Sequence, residues 1–305
     1  AINAGIDMSM VAMDSEFPIL LKELVEEGKV SMERIDEAVT RILKLKFELG
    51  LFENPYHADI EYDQFASDEF REMSYKAAVE SIVLLKNEDN ILPLKKESKI
   101  LITGPTANSL NYLNGGWTGV WQGDNEAYNT KGKQTIQEAF KMKYADNIGY
   151  IAGASYDKVI DLDAAREAAE NVDYIIACIG EETYTETPGN IEDINLPESQ
   201  NQLIEALSEA GKPIILVQVG GRPRIIRDMV DHSKVVISAM LPGNEGGHAL
   251  AALIYGDENF SGKLPFTYPR YSNDLVTYDY KGTDKVHSDF TMDGVNPQYE
   301  FGYGL

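Results

Sequence analysis

The sequence predicts an α/β fold built on an open, mostly parallel sheet with helices on both faces. Three observations carry this. From about residue 75 onward, short β-rich runs alternate with helical stretches, the order that βαβ units produce. The run 174–179 is continuously apolar with β-branched content, as a strand covered on both faces is, and 213–219 and 235–240 are further short runs rich in Val and Ile. Hydrophobic residues make up 43% and charged residues 25% of the chain, an ordinary globular composition with enough apolar material for a sizeable core. At 305 residues the chain exceeds the usual single domain, so two domains are expected.

Taken in order, residues 1–56 read as helical after a short start. Met32, Ile35, Ala38, Val39, Ile42 and Leu45 recur at spacings of three and four, which places them on one helical face, and Gly50 stands at the stop position. Pro55, which lacks the amide donor a helix needs, breaks the pattern. A polar, acidic stretch follows, and 57–74 reads as a linker. Within 75–270 the expected elements are a strand at 99–103 ended by Gly104-Pro105, a helix at 135–143 and a weaker strand at 149–152. An Ala-rich helix at 163–171 and a strand at 174–179 come next. A helix at 197–210 with Pro near its first turn, strands at 213–219 and 235–240, and a helix at 245–255 complete the series. Residues 271–305 read as a tail packing on the domains. Sheets of this kind bind ligands beyond the carboxyl ends of their strands, so the loops after Thr103, Ile179, Val219 and Met240 are where a site is expected.

Lys and Arg number 27 against 50 Asp and Glu, a net charge of −23, so the surface repels phosphate backbones and anionic membranes; no nucleic-acid or membrane partner is expected. No apolar run reaches the roughly 18 residues a spanning helix needs. Cys178, the single cysteine, sits in an apolar run and reads as a small hydrophobe. The start, Ala1-Ile2-Asn3-Ala4-Gly5, has neither an initiator Met nor a charged stretch before a long apolar one; this predicts a piece of something longer. His57, His232, His248 and His287 are scattered without metal-ligand spacing, and neither Gly104-Pro105 nor Val219-Gly220-Gly221-Arg222-Pro223 has the spacing of a dinucleotide site. No metal and no cofactor is expected.

Two loops carry chemistry. Gly180-Glu181-Glu182-Thr183-Tyr184-Thr185-Glu186-Thr187-Pro188-Gly189-Asn190 follows a strand and holds three carboxylates, and cleavage of a glycosidic bond needs a carboxylic acid beside a second carboxylate. Glu181, Glu182 and Glu186 are all candidates from composition, Glu186 being set before a Pro-Gly turn that projects it outward. Asn114-Gly115-Gly116-Trp117-Thr118-Gly119-Val120-Trp121-Gln122-Gly123-Asp124 holds both tryptophans of the chain among four glycines. They are either core rings beneath a loop or a platform for sugar faces. Glu245, in Leu241-Pro242-Gly243-Asn244-Glu245-Gly246-Gly247, is expected in a helix's first turn, where the dipole favours a carboxylate.

With these motifs on the page, the chain resembles glycoside hydrolase family 3, in particular its exo-acting β-glucan glucohydrolases and β-glucosidases. Ala4-Gly5-Ile6-Asp7-Met8-Ser9-Met10 resembles the segment after the nucleophile strand of the family's (β/α)8 barrel. Ile35-Asp36-Glu37-Ala38-Val39-Thr40-Arg41-Ile42-Leu43 and Gly50-Leu51-Phe52-Glu53-Asn54-Pro55 resemble the barrel's last helix and exit. Ser81-Ile82-Val83-Leu84-Leu85-Lys86-Asn87 and Leu92-Pro93-Leu94 resemble the entry to the α/β-sandwich domain, and Gly262-Lys263-Leu264-Pro265 and Phe301-Gly302-Tyr303-Gly304-Leu305 its later landmarks. The resemblance implies that 1–56 is the C-terminal end of a barrel. It also implies that Glu186 is the acid/base, that Trp117 and Trp121 clamp the sugar past the scissile bond, and that Met10 lines the pocket for the terminal sugar. The partner carboxylate is then an Asp in a Ser/Thr-Asp-Trp context upstream of Ala1, on a barrel segment of the same enzyme, and Asp7 matches a structural position instead. The implied substrate is a β-glucoside or β-glucan oligosaccharide. A β-xylosidase of the same family, or a non-catalytic carbohydrate-binding module using the two tryptophans, are the alternatives.

Overall fold

The computed structural model describes residues 1–11, 13–56, 62–144, 147–273 and 297–305. They form two compact units, Ala1–Asp63 and Gln64–Leu305.

The first unit holds helices α1 (Glu16–Glu26) and α2 (Met32–Glu48). Ser31 caps α2 by accepting from the Arg34 amide, and Gly50 takes the left-handed conformation (φ 66°) just past its end, as the sequence leads one to expect. Arg34 donates to the carbonyls of Ile2 and Ile6 and to Asp7 Oδ1, and Arg41 reaches the same carboxylate, so Asp7 pins the N-terminal segment onto α2. Among the described residues of this unit only Val30 and Ala38 are buried, whereas Ile19, Leu20, Val39, Leu45 and Phe47 stand exposed.

The second unit is a six-stranded sheet in the order β1-β6-β5-β4-β2-β3. Its strands are β1 (Val83–Asn87), β2 (Ile100–Thr103), β3 (Ile148–Ile151), β4 (Tyr174–Gly180), β5 (Ile214–Val219) and β6 (Val235–Met240). All neighbours are parallel except β1 against β6. Successive residues of the buried strands feed opposite cores: Ile100, Ile102, Ile176 and Cys178 face one layer, Leu101, Ile175, Ala177 and Ile179 the other. Helices α3 (Asp68–Ser81), α4 (Leu110–Asn114), α5 (Ile136–Tyr144) and α9 (Gly246–Tyr255) close the first layer. The second is closed by α6 (Leu162–Glu170), α7 (Glu198–Ser208) and α8 (Arg227–Asp231). The last residues stay in this unit: the Leu264 amide donates to the Tyr303 carbonyl and the Leu305 amide to that of Leu84.

Two sequence expectations are revised. The linker expected over 57–74 gives way at Asp68 to α3, whose N-cap Ser67 accepts from the Phe70 amide. The Asp68-Glu69 pair that reads as linker composition is the acidic first turn that a helix dipole favours. Residues 57–61 of that stretch, and 274–296 of the expected tail, lie outside the described residues. In addition, 83–87 is a strand; its Val-Leu-Leu run, expected only as a domain entry, pairs antiparallel with β6 at the sheet edge.

Candidate active site

Strand order locates the site. The connection after β2 leads outward to β3, that after β4 in the opposite direction to β5, so a crevice opens between the carboxyl ends of β2 and β4. The two ends approach closely. A Cβ on Gly104 would lie 2.2 Å from the Cys178 carbonyl oxygen, which together with φ 98° requires glycine there. Thr106 binds across, its amide donating to the Cys178 carbonyl and its hydroxyl to that of Ile179.

The loop after β2 carries the tryptophans and the loop after β4 the glutamates, and they pack as one body. Gln122 joins them in both directions: its Nε2 donates to the Thr185 carbonyl at 3.1 Å and its Oε1 accepts from the Thr185 amide at 3.0 Å. Thr183 Oγ1 donates to the Gln122 carbonyl. Gly116 lies so close to Tyr184 and Thr185 that a Cβ there would meet the Tyr184 carbonyl at 2.4 Å. Trp117 and Trp121 are not core rings; they are 66% and 46% exposed, and the Trp117 amide donates to the Trp121 carbonyl across a tight turn. Trp117 itself holds φ 62°, rare for a bulky side chain.

The three glutamates separate by environment. Glu181, 2% exposed, is consumed by ion pairs: its Oε1 accepts from Arg222 Nε at 2.9 Å and Arg224 Nη1 at 2.6 Å, and its Oε2 from the Tyr184 hydroxyl at 3.1 Å. Burial and this carboxylate push the Tyr184 hydroxyl up to about 12. Glu182 is exposed and accepts from the Tyr112 hydroxyl at 3.3 Å. Glu186 is exposed, and among the described residues its carboxylate has neither a hydrogen bond nor an ion pair. Its backbone sits at φ 53°, ψ −145°, a region that costs a non-glycine residue about 1–3 kcal/mol and persists only where its surroundings impose it. Of the three, Glu186 is the carboxylate without a partner among the described residues.

Glu245 stands at the N-cap of α9, one position before the expected first turn, and makes no cap hydrogen bond. It is 3% exposed and pairs with Lys133 and with His248 Nδ1 at 3.3 Å, so it is a buried structural anion. Met10, 96% exposed, belongs to the first unit. Among the described residues no group of three His, Cys, Asp or Glu side chains could hold a metal ion. The residues the sequence reading missed are Gln122, Arg222 and Arg224. The available signal was charge: Arg222-Pro223-Arg224 leaves β5 on the same sheet edge as the acidic loop leaving β4.

This architecture is that of an α/β-sandwich domain in which the loop of the two exposed indoles is bonded to the loop that carries Glu186. The model of the glycosyl hydrolase family 3 C-terminal domain matches residues 82–305, and the chain belongs to that family. The lysosomal β-glucosidase of Dictyostelium discoideum is 40% identical over 323 residues, covering 100% of this chain and 38% of that protein. A β-xylosidase of Formosa agariphila is 30% identical, covering 100% and 44%. The crystal structure of a Listeria innocua β-glucosidase in complex with glucose superposes with a TM-score of 0.85 at 32% identity, covering 100% of this chain and 42% of that one. The chain thus spans less than half the length of these relatives.

Proposed function

We propose that this chain supplies one half of a retaining, exo-acting β-glucosidase or β-glucan glucohydrolase, with Glu186 as its acid/base. The nucleophile is an Asp on a barrel segment of the longer enzyme. That Asp attacks the anomeric carbon while Glu186 donates its proton to the departing oxygen; Glu186 then takes a proton from the water that releases the sugar. Trp117 and Trp121 hold the ring past the scissile bond, and Met10 lines the pocket for the terminal glucose. The first unit is the end of the barrel, which accounts for its uncovered apolar residues, since a fragment of a barrel exposes the faces its missing neighbours would cover. In the assembled site the two carboxyls stand about 5–5.5 Å apart.

The observation that carries this reading is the two-way Gln122–Thr185 bond, which fixes the tryptophan loop to the residue preceding the unpaired, exposed Glu186. Glu186→Gln in the complete enzyme tests it. The kcat/KM for glucosides with poor leaving groups falls by about 10²–10⁴-fold, the worth of general acid catalysis, while kcat/KM for activated aryl glucosides, whose first step needs no acid, loses far less. Equal losses on both rule Glu186 out as the acid. The Formosa relative favours a second reading, β-xylosidase activity, which parallel assays of aryl β-glucoside and aryl β-xyloside separate.

A further inference from the structure

Among the described residues nothing holds the Glu186 side chain, yet its backbone occupies a conformation that must be enforced. The enforcement comes from the flanks. Arg222 reaches three points at once. Its Nε donates to Glu181 Oε1 at 2.9 Å, its Nη1 donates to the Gly189 carbonyl at 2.8 Å, and its guanidinium lies 4.0 Å from the centroid of the Tyr184 ring. Tyr184 precedes Glu186 by two positions and Gly189 follows it by three. The Gly189 amide in turn donates to the Glu186 carbonyl at 2.9 Å, so the grip on Gly189 passes directly to the apex. Space is matched to this arrangement: a Cβ on Gly221 would come within 2.8 Å of the Tyr184 hydroxyl, and one on Gly189 within 2.4 Å of the Tyr184 ring. The root is firm, because Glu181 is also bound by the 3%-exposed Arg224, which donates onward to the carbonyls of Ile194 and Asn195.

We propose that Arg222 is the positioning residue for the proposed acid/base, clamping Tyr184 and Gly189 on either side of Glu186 and so holding its carboxylate toward the crevice. This rests on Glu186 being the acid. The role needs arginine: a planar fork reaches two acceptors while its face covers a ring, which a lysine ammonium cannot do together.

The test uses the full-length enzyme, with Arg222→Met, Arg222→Lys and Glu186→Gln assayed side by side on a cellobiose-type and a dinitrophenyl glucoside. A displacement of about 1 Å in a reacting group costs on the order of 10²-fold. Arg222→Met is therefore expected to lose roughly that much kcat/KM on the disaccharide and less than about 3-fold of kcat/KM on the activated glucoside. Arg222→Lys recovers only a minor part. Hydrogen exchange quickens at the amides of 185–187, 189 and 190 while the β4 and β5 amides keep their protection. A purely structural arginine lowers the melting temperature and leaves the ratio of the two activities unchanged; that result overturns the proposal. If Glu186→Gln shows the leaving-group split and Arg222→Met does not, the clamp is refuted and the acid assignment stands. If Glu186→Gln shows no split, the acid assignment falls and takes the clamp with it.

Discussion

Glu181 is the carboxylate on which the β4 and β5 loops meet, and removing it has a calculable cost. Its two arginine partners differ in their access to water. Arg222 is 26% exposed and re-solvates when Glu181 becomes Ala; Arg224 is 3% exposed and does not. Breaking a buried pair by deleting one partner costs about 3–5 kcal/mol, because the surviving charge is stranded. Arg224 retains the carbonyls of Ile194 and Asn195 as acceptors, which puts the expected value near the lower end, about 3 kcal/mol. For a unit of this size each kcal/mol moves the melting temperature by roughly 2–4 °C, so Glu181→Ala should melt about 6–12 °C lower. Calorimetry or denaturant titration reads this directly. The decisive variant is the double one. Arg224→Met beside Glu181→Ala removes the stranded charge, and apolar replacement of a buried pair is near neutral. The double variant should therefore regain a clear part of the loss, with a coupling energy of about 1–3 kcal/mol in the double-mutant cycle. Additive losses would refute the reasoning, since they would mean that Arg224 is not left uncompensated when Glu181 goes.

Two further outcomes are expected. Trp121→Ala in the complete enzyme withdraws a half-exposed indole face; at ~25 cal/mol per Å², losing ~50 Å² of ligand contact is on the order of 1 kcal/mol. It should raise KM for disaccharides several-fold, and an unchanged KM would deny the ring a place against the substrate. Stability should fall from about pH 10 upward. Tyr75, Tyr112 and Tyr184 are pushed up to about 12, chiefly by burial, and Tyr268, buried outright, is raised as well. Between the unfolded value near 10 and these folded values the native state holds protons that the unfolded chain has released. Each such proton lowers stability by about 1.4 kcal/mol per pH unit as pH rises, and none of this loss occurs below pH 9. A melting temperature flat from pH 9 to 11 would contradict it.

The sheet was legible in the sequence because its strands are buried on both faces, so that continuous runs such as Ile175-Ile176-Ala177-Cys178-Ile179 announce themselves by composition. The end of α2 was legible because Gly50 names the stop, whereas its cap Ser31 was read only from the structure. The start of α3 was not, because an acidic first turn and an acidic linker have the same composition until Ser67 is seen to cap it. The strand β1 was hidden for another reason: its place at the edge depends on a partner, β6, some 150 residues distant.

The site divides along the same line. That a ligand crevice lies between the ends of β2 and β4 follows from strand order, and strand order follows from long-range pairing that local pattern does not encode. The acidic loop could be found by eye, yet its three glutamates are equivalent as composition and differ only in what surrounds them. Two arginines arriving from the end of β5 neutralise Glu181 and bury it, and Tyr112 engages Glu182. What distinguishes Glu186 is therefore a tertiary fact: it is the member of the trio whose carboxylate has no partner among the described residues. A carboxylate so placed, on a backbone held away from its relaxed conformation, makes no hydrogen bond or ion pair among the described residues. The expense is accounted for only if the carboxylate acts on something brought to the crevice, which is the argument for the proposed acid/base role and for testing it in the complete enzyme.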